Sequence, residues 1–303
     1  MTTDAAAAAS QAEPVDTRQQ VIIGTAAIAL AVAIYAPILY YMALHWYGVE
    51  DYSHGFLIAP LAAYFAWERQ PQLRRARIEP SWWGLAPLAL SSLTLAIGRL
   101  GVELMNMRIS FVFALIGLVL LLFGRQVFRV LAFPLCFLFL MVPLPNSLLL
   151  PIAFPLQLVA ADWAVNLLYY LHIPALREGN IIHLPNATLF VEVACSGLRS
   201  LMALITLGVV FAYFFRKSSG ERVVIVLSAI PIAIAVNALR VGLTGILAYR
   251  LGDKAAEGVV HEFQGLVTFG GAFLLLLAEA WLLGLVWPER WRPKPKRRAG
   301  GAP

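Results

Sequence analysis

Long apolar runs alternate along the chain with short polar segments, and most of the runs are long enough to form membrane-crossing helices. Spanning the hydrocarbon core takes about 20 mostly apolar residues in helical form. By that measure spans are predicted at 21–44, 54–68, 83–98, 109–123, 127–142, 197–215, 222–249 and 259–287, of which the second, fourth and fifth are short. The expected fold is all-α, a polytopic bundle of about eight transmembrane helices. No internal repeat and no soluble second domain is visible. Residues 1–20, opening MTTDAAAAAS, read as a disordered cytoplasmic tail, 21–287 as one transmembrane domain, and 288–303 as a basic cytoplasmic tail. The first span is too long and too late for a cleaved signal peptide.

The longest interruption of this pattern is 143–196. It holds SLLLPIAFPLQLVAADWAVNLLYYL, an apolar stretch broken by Pro151 and Pro155 and carrying Asp162 and Trp163. That reads as an extracytoplasmic interfacial segment, or a re-entrant helical hairpin, better than as a full span. After it, REGNIIHLPNATLFVEVA alternates polar and apolar residues around a Pro-Asn turn. The alternation predicts a short β-hairpin just before the sixth span. It delivers the chain directly to Cys195.

Composition strengthens the membrane reading. The chain has 303 residues, 60% hydrophobic and 13% charged, whereas soluble domains carry roughly a quarter charged residues. A net charge of +6 is compatible with nucleic-acid binding, but the basic residues form no patch with interleaved aromatics. They mark topology instead. Arg69, Arg74, Arg75 and Arg77 follow the second span, and Arg125 and Arg129 follow the fourth. Arg216, Lys217 and Arg222 follow the sixth, and Arg290, Arg292, Lys294, Lys296, Arg297 and Arg298 follow the eighth. These segments alternate with eight spans, so both termini are expected in the cytoplasm by the positive-inside rule. Trp82, Trp83, Trp287 and Trp291 fall at span ends, where aromatic belts form. Glu103 and Arg108 read as solvated residues of a short outer loop.

The candidate chemistry gathers at the outer ends of three spans. Cys136, among aromatic and aliphatic neighbours, reads as a small buried hydrophobe. Cys195 sits where a helix begins, with Arg199 one turn on, and both features favour a thiolate. Two readings stand open there: an activated nucleophile, or a small helix-start residue beside an Arg that snorkels to headgroups. Arg240 lies about 9 residues, or ~14 Å, inside the outer end of the seventh span, with Asn237 one turn before it. A charge within a span is costly and marks a functional site by default, although snorkelling remains open for it too. His261 starts the eighth span; a polar helix-end role is its plainer reading. Together, Cys, Arg and His supply a nucleophile, an oxyanion-stabilising cation and an acid/base. His54 reads either as a structural interfacial residue or as a contributor to the outer site. The five histidines show no metal-ligand spacing, so neither metal nor cofactor is expected.

The chain resembles the exosortase/archaeosortase family of membrane-embedded cysteine transpeptidases, from the first span to the last. DYSHGFLIAPLAAYFAWER (51–69) resembles the family's YSHGF segment, and FPLCFLFLMVPLP (133–145) its stretch ending PLP. ACSG at Cys195, NALR at Arg240 and VVHEFQG at His261 occur in the family's order and spacing. The resemblance implies that Cys195 is the nucleophile, His261 the general acid/base, and Arg240 the oxyanion or thiolate stabiliser. Asn237, Arg199 and His54 are candidate supporting residues by their positions in the sequence, not by the resemblance. It also implies the partners: C-terminal sorting signals of exported proteins, made of a Pro-Glu-Pro-like motif, a transmembrane helix and a basic tail. The acceptor would be a membrane lipid or glycan precursor, or water. A separate soluble partner associated with exopolysaccharide is a further expectation. The expected location is a bacterial inner membrane, with the site on the extracytoplasmic side.

Two other classes compete. A transporter would use Arg240 and His261 to line a substrate path, but repeated halves and matched Gly/Pro-broken spans are missing. A non-catalytic scaffold of an exopolysaccharide export system would leave Cys195 chemically ordinary.

Overall fold

The computed structural model describes residues 17–191, 198–215, 218–252 and 259–286. The chain is mostly helical. Its long helices are α1 (Thr17–Gly48), α2 (Gly55–Glu68), α3 (Leu85–Leu100), α4 (Leu104–Phe137), α5 (Asn146–Tyr170), α6 (Leu198–Phe215), α7 (Ser219–Leu251) and α8 (Val259–Val286). Strands β1 (Leu176–Glu178), β2 (Ile181–Leu184) and β3 (Ala187–Phe190) lie between α5 and α6. Two compact units divide at Pro145.

Among the described residues, 6 helical stretches are long and apolar enough to cross a membrane: Arg18–Gly48, Trp82–Leu100, Leu104–Met141, Asn146–Tyr170, Ser219–Leu251 and Phe263–Leu285. Gly55–Glu68 and Ser200–Phe215 are shorter apolar helices. They occupy the places of the expected second and sixth spans. The expected fourth and fifth spans fall in the one element α4. It starts at a strong cap, because Glu103 accepts hydrogen bonds from the Met105 N–H (3.0 Å) and the Asn106 N–H (2.7 Å). Glu103 and Arg108 therefore are not loop residues: one caps α4 and the other is buried in its second turn.

Gly124 breaks α4 with φ 85° and ψ −176°, a region essentially reserved for glycine. The chain at Glu79 presses against the break, and the Glu79 N–H donates to the Phe123 carbonyl at 3.3 Å. A Cβ at position 124 would lie 1.7 Å from the Glu79 carbonyl oxygen. Gly124→Ala thus combines a forbidden backbone conformation with a collision against main chain, a cost of about 3 kcal/mol or more. The purified variant is expected to unfold at a clearly lower temperature than wild type. An unchanged midpoint would show that the break is dispensable.

Within the first unit, a buried polar cluster ties α1, α3 and α4 together. The Ser91 hydroxyl donates to the Ser110 carbonyl at 2.7 Å, and Tyr35 and Ser91 hydroxyls lie 3.1 Å apart. Hydrogen bonds of this kind hold helices where lipid offers no hydrophobic driving force. Trp82 and Trp83 are highly exposed at the start of α3, as an aromatic belt requires. Cys136, by contrast, is exposed and not the buried residue its neighbours suggested; it lies on the outer side of α4.

In the second unit α7 is the central helix, with α5, α6 and α8 packed against it. Small residues make this close approach feasible: Ala229, Ala233, Ala238 and Ala248 of α7 and Ala160, Ala161 and Ala164 of α5 are all buried. The segment 146–170, expected as an interfacial segment or hairpin, is one unbroken helix despite Pro151 and Pro155. The expected β-hairpin is present as β2 and β3, antiparallel, with Leu184 opposite Ala187 across Pro185–Asn186. A third strand, β1, extends it in the order β1-β2-β3. Ile182, Leu184 and Ala187 of the sheet share a core with the C-terminal halves of α5 and α7.

Candidate active site

Arg240 lies within α7, 11 residues before its end at Leu251, roughly 17 Å along the axis. Asn237, one turn earlier, is 4% exposed. Both line a narrow cleft together with Ser200 of α6 and Thr268 and Phe269 of α8. Its volume is ≈ 10 Å³, about the room one water molecule needs. In so tight and apolar a setting a guanidinium acts on a nearby charge far more strongly than it would in water.

Helix α8 passes close to this guanidinium at Gly265, where a Cβ would make ordinary van der Waals contact with Arg240 Nη2 at 3.7 Å. His261 precedes Gly265 by one helical turn in the backbone of α8. A polar bridge fixes α7 against α8 at the same level: the Thr244 hydroxyl lies 2.9 Å from the Arg240 carbonyl oxygen and 3.0 Å from Gln264 Oε1. Further along the pair, the Ser228 hydroxyl bonds the Glu279 carboxylate at 2.5 Å. Sequence reasoning passed over Ser200, Thr244, Gln264 and Thr268. The available signal was that each is a polar residue inside an apolar helix, with Gln264 inside the VVHEFQG motif.

Cys195 lies outside the described residues, and so do the side chains of Arg199 and His261. Arg199 belongs by its backbone to the first turn of α6. The chain resumes at Leu198, so Cys195 is five residues from the cleft residue Ser200, at most ~18 Å of extended chain. Among the described residues no group of three or more His, Cys, Asp or Glu side chains is placed to hold a metal ion.

His54 belongs to the first unit, where the two segments 51–56 and 140–144 are clamped together. Tyr52 donates its hydroxyl to the Leu144 carbonyl (3.0 Å), and Trp46 its indole N–H to the Met141 carbonyl (3.0 Å). The Trp46 ring occupies the space a side chain at Gly55 would need, since a Cβ there would meet the indole at 2.5 Å. Burial holds the His54 imidazole below its usual pKa, against the opposing pull of the Asp51 and Leu140 carbonyls and the Asp51 charge. Burial likewise pushes the Tyr52 hydroxyl up. Here the YSHGF and PLP segments, far apart in sequence, form one structure.

A helical bundle with apolar spans and an arginine lining a cleft inside one of them defines a multi-pass membrane protein with an intramembrane polar site. The family model described as transmembrane exosortase matches residues 46–278, and the chain belongs to that family. No curated protein and no solved structure matches it.

Proposed function

We propose that this protein is a cysteine transpeptidase that cleaves the C-terminal sorting signal of exported proteins at the outer face of the bacterial inner membrane. The observation that carries the reading is Arg240, held inside α7 in a cleft bordered by Ser200 of α6 and by Thr268 and Phe269 of α8, about two turns after His261 in the same helix. The Cys195 thiolate attacks the scissile carbonyl carbon, and Arg240 stabilises the oxyanion that forms. As the C–N bond breaks, His261 gives a proton to the departing amine, leaving a thioester on Cys195. A nucleophile from a lipid or glycan precursor, or water, then attacks the thioester while His261 takes its proton and the thiolate leaves. Asn237, Arg199 and His54 are supporting residues in this scheme. The substrate is a Pro-Glu-Pro-like motif followed by a transmembrane helix and a basic tail, and an exopolysaccharide-associated protein is a separate partner.

Eight crossings underlie this reading: α2 and α6 cross despite their length, α4 crosses twice by virtue of the Gly124 break, and α5 stays at the outer interface. The clusters of Arg and Lys support that count, because each then lies in the cytoplasm. The direct test is co-expression with a protein bearing such a signal, whose processing should require this chain. Topology has its own test. Alkaline phosphatase fused after Leu184 is expected to be active, and the same reporter fused after Lys217 inactive. The reverse pattern would put the site on the wrong side of the membrane for an exported substrate.

A further inference from the structure

Gln264 is a carboxamide inside an apolar helix, and the scheme above gives it no task. It sits five residues past the start of α8 at Val259, about 8 Å along the helix, and is half-buried. Gln264, Thr268 and Ala272 recur at four-residue steps, so they share one face of α8. Thr268 and Ala272 line the cleft together with Arg240, and a Cβ at Gly265, the residue after Gln264, would touch the Arg240 guanidinium. Gln264 therefore stands one turn from the cleft on the face that borders it, on the side from which His261 leads.

Helix α7 aims the amide. The Thr244 hydroxyl lies 3.0 Å from Gln264 Oε1 and 2.9 Å from the Arg240 carbonyl oxygen. A hydroxyl has one hydrogen and cannot serve both oxygens fully. If the hydrogen goes to Gln264, both N–H groups of the amide remain. If it goes to the Arg240 carbonyl, the amide turns over and gives one N–H to the Thr244 oxygen, and the other remains. In both arrangements at least one N–H is left to donate, and Thr244 fixes where it points. A tie between the two helices would need no such surplus, and Ser228 with Glu279 already provides one further along the pair.

A fixed neutral N–H beside a guanidinium suits a reaction in which negative charge grows on one oxygen, because preorganised donors act most strongly where water is excluded. We propose that Gln264 is a second oxyanion donor of this enzyme, acting beside Arg240 and aimed by Thr244; the inference rests on the cysteine transpeptidase reading above. As the Cys195 thiolate bonds to the carbonyl carbon, the π pair of the C=O bond moves onto oxygen, and the Gln264 N–H donates a hydrogen bond to it without giving up its proton. The pair returns when the C–N bond breaks. The same N–H serves the second oxyanion, formed when the acceptor attacks the thioester. Thr244 touches the amide and not the substrate, so it is a positioning residue.

The test measures kcat and KM of the purified full-length protein on a signal-bearing substrate. Gln264→Met keeps the length of the side chain but has no N–H. It is expected to lower kcat by roughly 10²–10³-fold with little change in KM, as removal of a contact made only in the transition state does. Thr244→Val should lower kcat less, and Thr244→Ser, which keeps the hydroxyl, should stay near wild type. Ser228→Ala removes the other polar tie between α7 and α8 and should leave kcat unchanged. Wild-type kcat in Gln264→Met would overturn the proposal. So would an equal loss in Ser228→Ala, which would mark both contacts as helix ties only. Where Gln264→Met does not accumulate, the Thr244 pair decides: equal kcat for Thr244→Val and Thr244→Ser overturns the proposal. Processing that survives Cys195→Ala in the same assay would instead strike the transpeptidase reading, and the oxyanion donor with it.

Discussion

Cys195→Ala is expected to abolish processing of a co-expressed, signal-bearing substrate while the protein accumulates to its normal level. Thioester chemistry has no substitute for the thiolate, so the loss should reach the detection limit and not stop at a partial defect. Alanine is smaller than cysteine, so sterics give no reason for a loss of protein. The internal control is Cys136→Ala. Cys136 is exposed on α4, so its replacement creates no cavity, and activity should stay close to wild type. The measurement is the ratio of processed to full-length substrate on an immunoblot, with the enzyme quantified in the same membranes. Undiminished processing by Cys195→Ala would exclude the peptidase scheme and favour a scaffold.

Which parts of this molecule were legible in its sequence follows from the kind of information each requires. Apolar runs report helices because every residue of a span must suit lipid or core, whatever its partner. The hairpin at 181–190 was legible because a two-residue period and a Pro-Asn turn are local signals, and Leu184 does pair with Ala187 across it. Strand β1 has only three residues, all exposed, too few to establish a period. For α5 the hairpin alternative fails: Pro151 and Pro155 looked like breaks, and the helix runs through both. Proline removes one N–H each time, but other groups can meet the freed carbonyls in a packed membrane helix, so α5 continues.

Side-chain placement was harder. Cys136 has apolar neighbours on both sides, and sequence does not say which face of α4 meets the core. Arg108 follows a Gly-Val-Glu turn and so resembled a loop residue, whereas the Glu103 cap starts a helix just before it. Arg240 and Asn237 were legible because polar groups in an apolar span are exceptional. Their neighbours Thr244 and Gln264 were not, because their contact depends on the register between α7 and α8. Only packing sets that register.

The roles of Arg240 and His261 separate in their mutants. A guanidinium offers a planar fork of donors, which a lysine ammonium does not reproduce even though it keeps the charge. The cleft around Arg240 is narrow, so a lysine has little freedom to find a new approach. Arg240→Lys is therefore expected to slow processing by roughly 10²–10³, the usual cost of losing one oxyanion donor. His261→Ala should slow processing by roughly 10²–10⁴ and should flatten the pH dependence that an acid/base group imposes. Its defect falls on proton transfer to the departing amine and on activation of the acceptor. Slow acylation followed by slower resolution would let a covalent adduct on Cys195 accumulate, visible as a thioester-sensitive band on a non-reducing gel. Arg240→Lys should show no such band, because attack itself is impaired. Near-wild-type processing by both variants would mean that Cys195 works without either residue, and the proposed triad would fall.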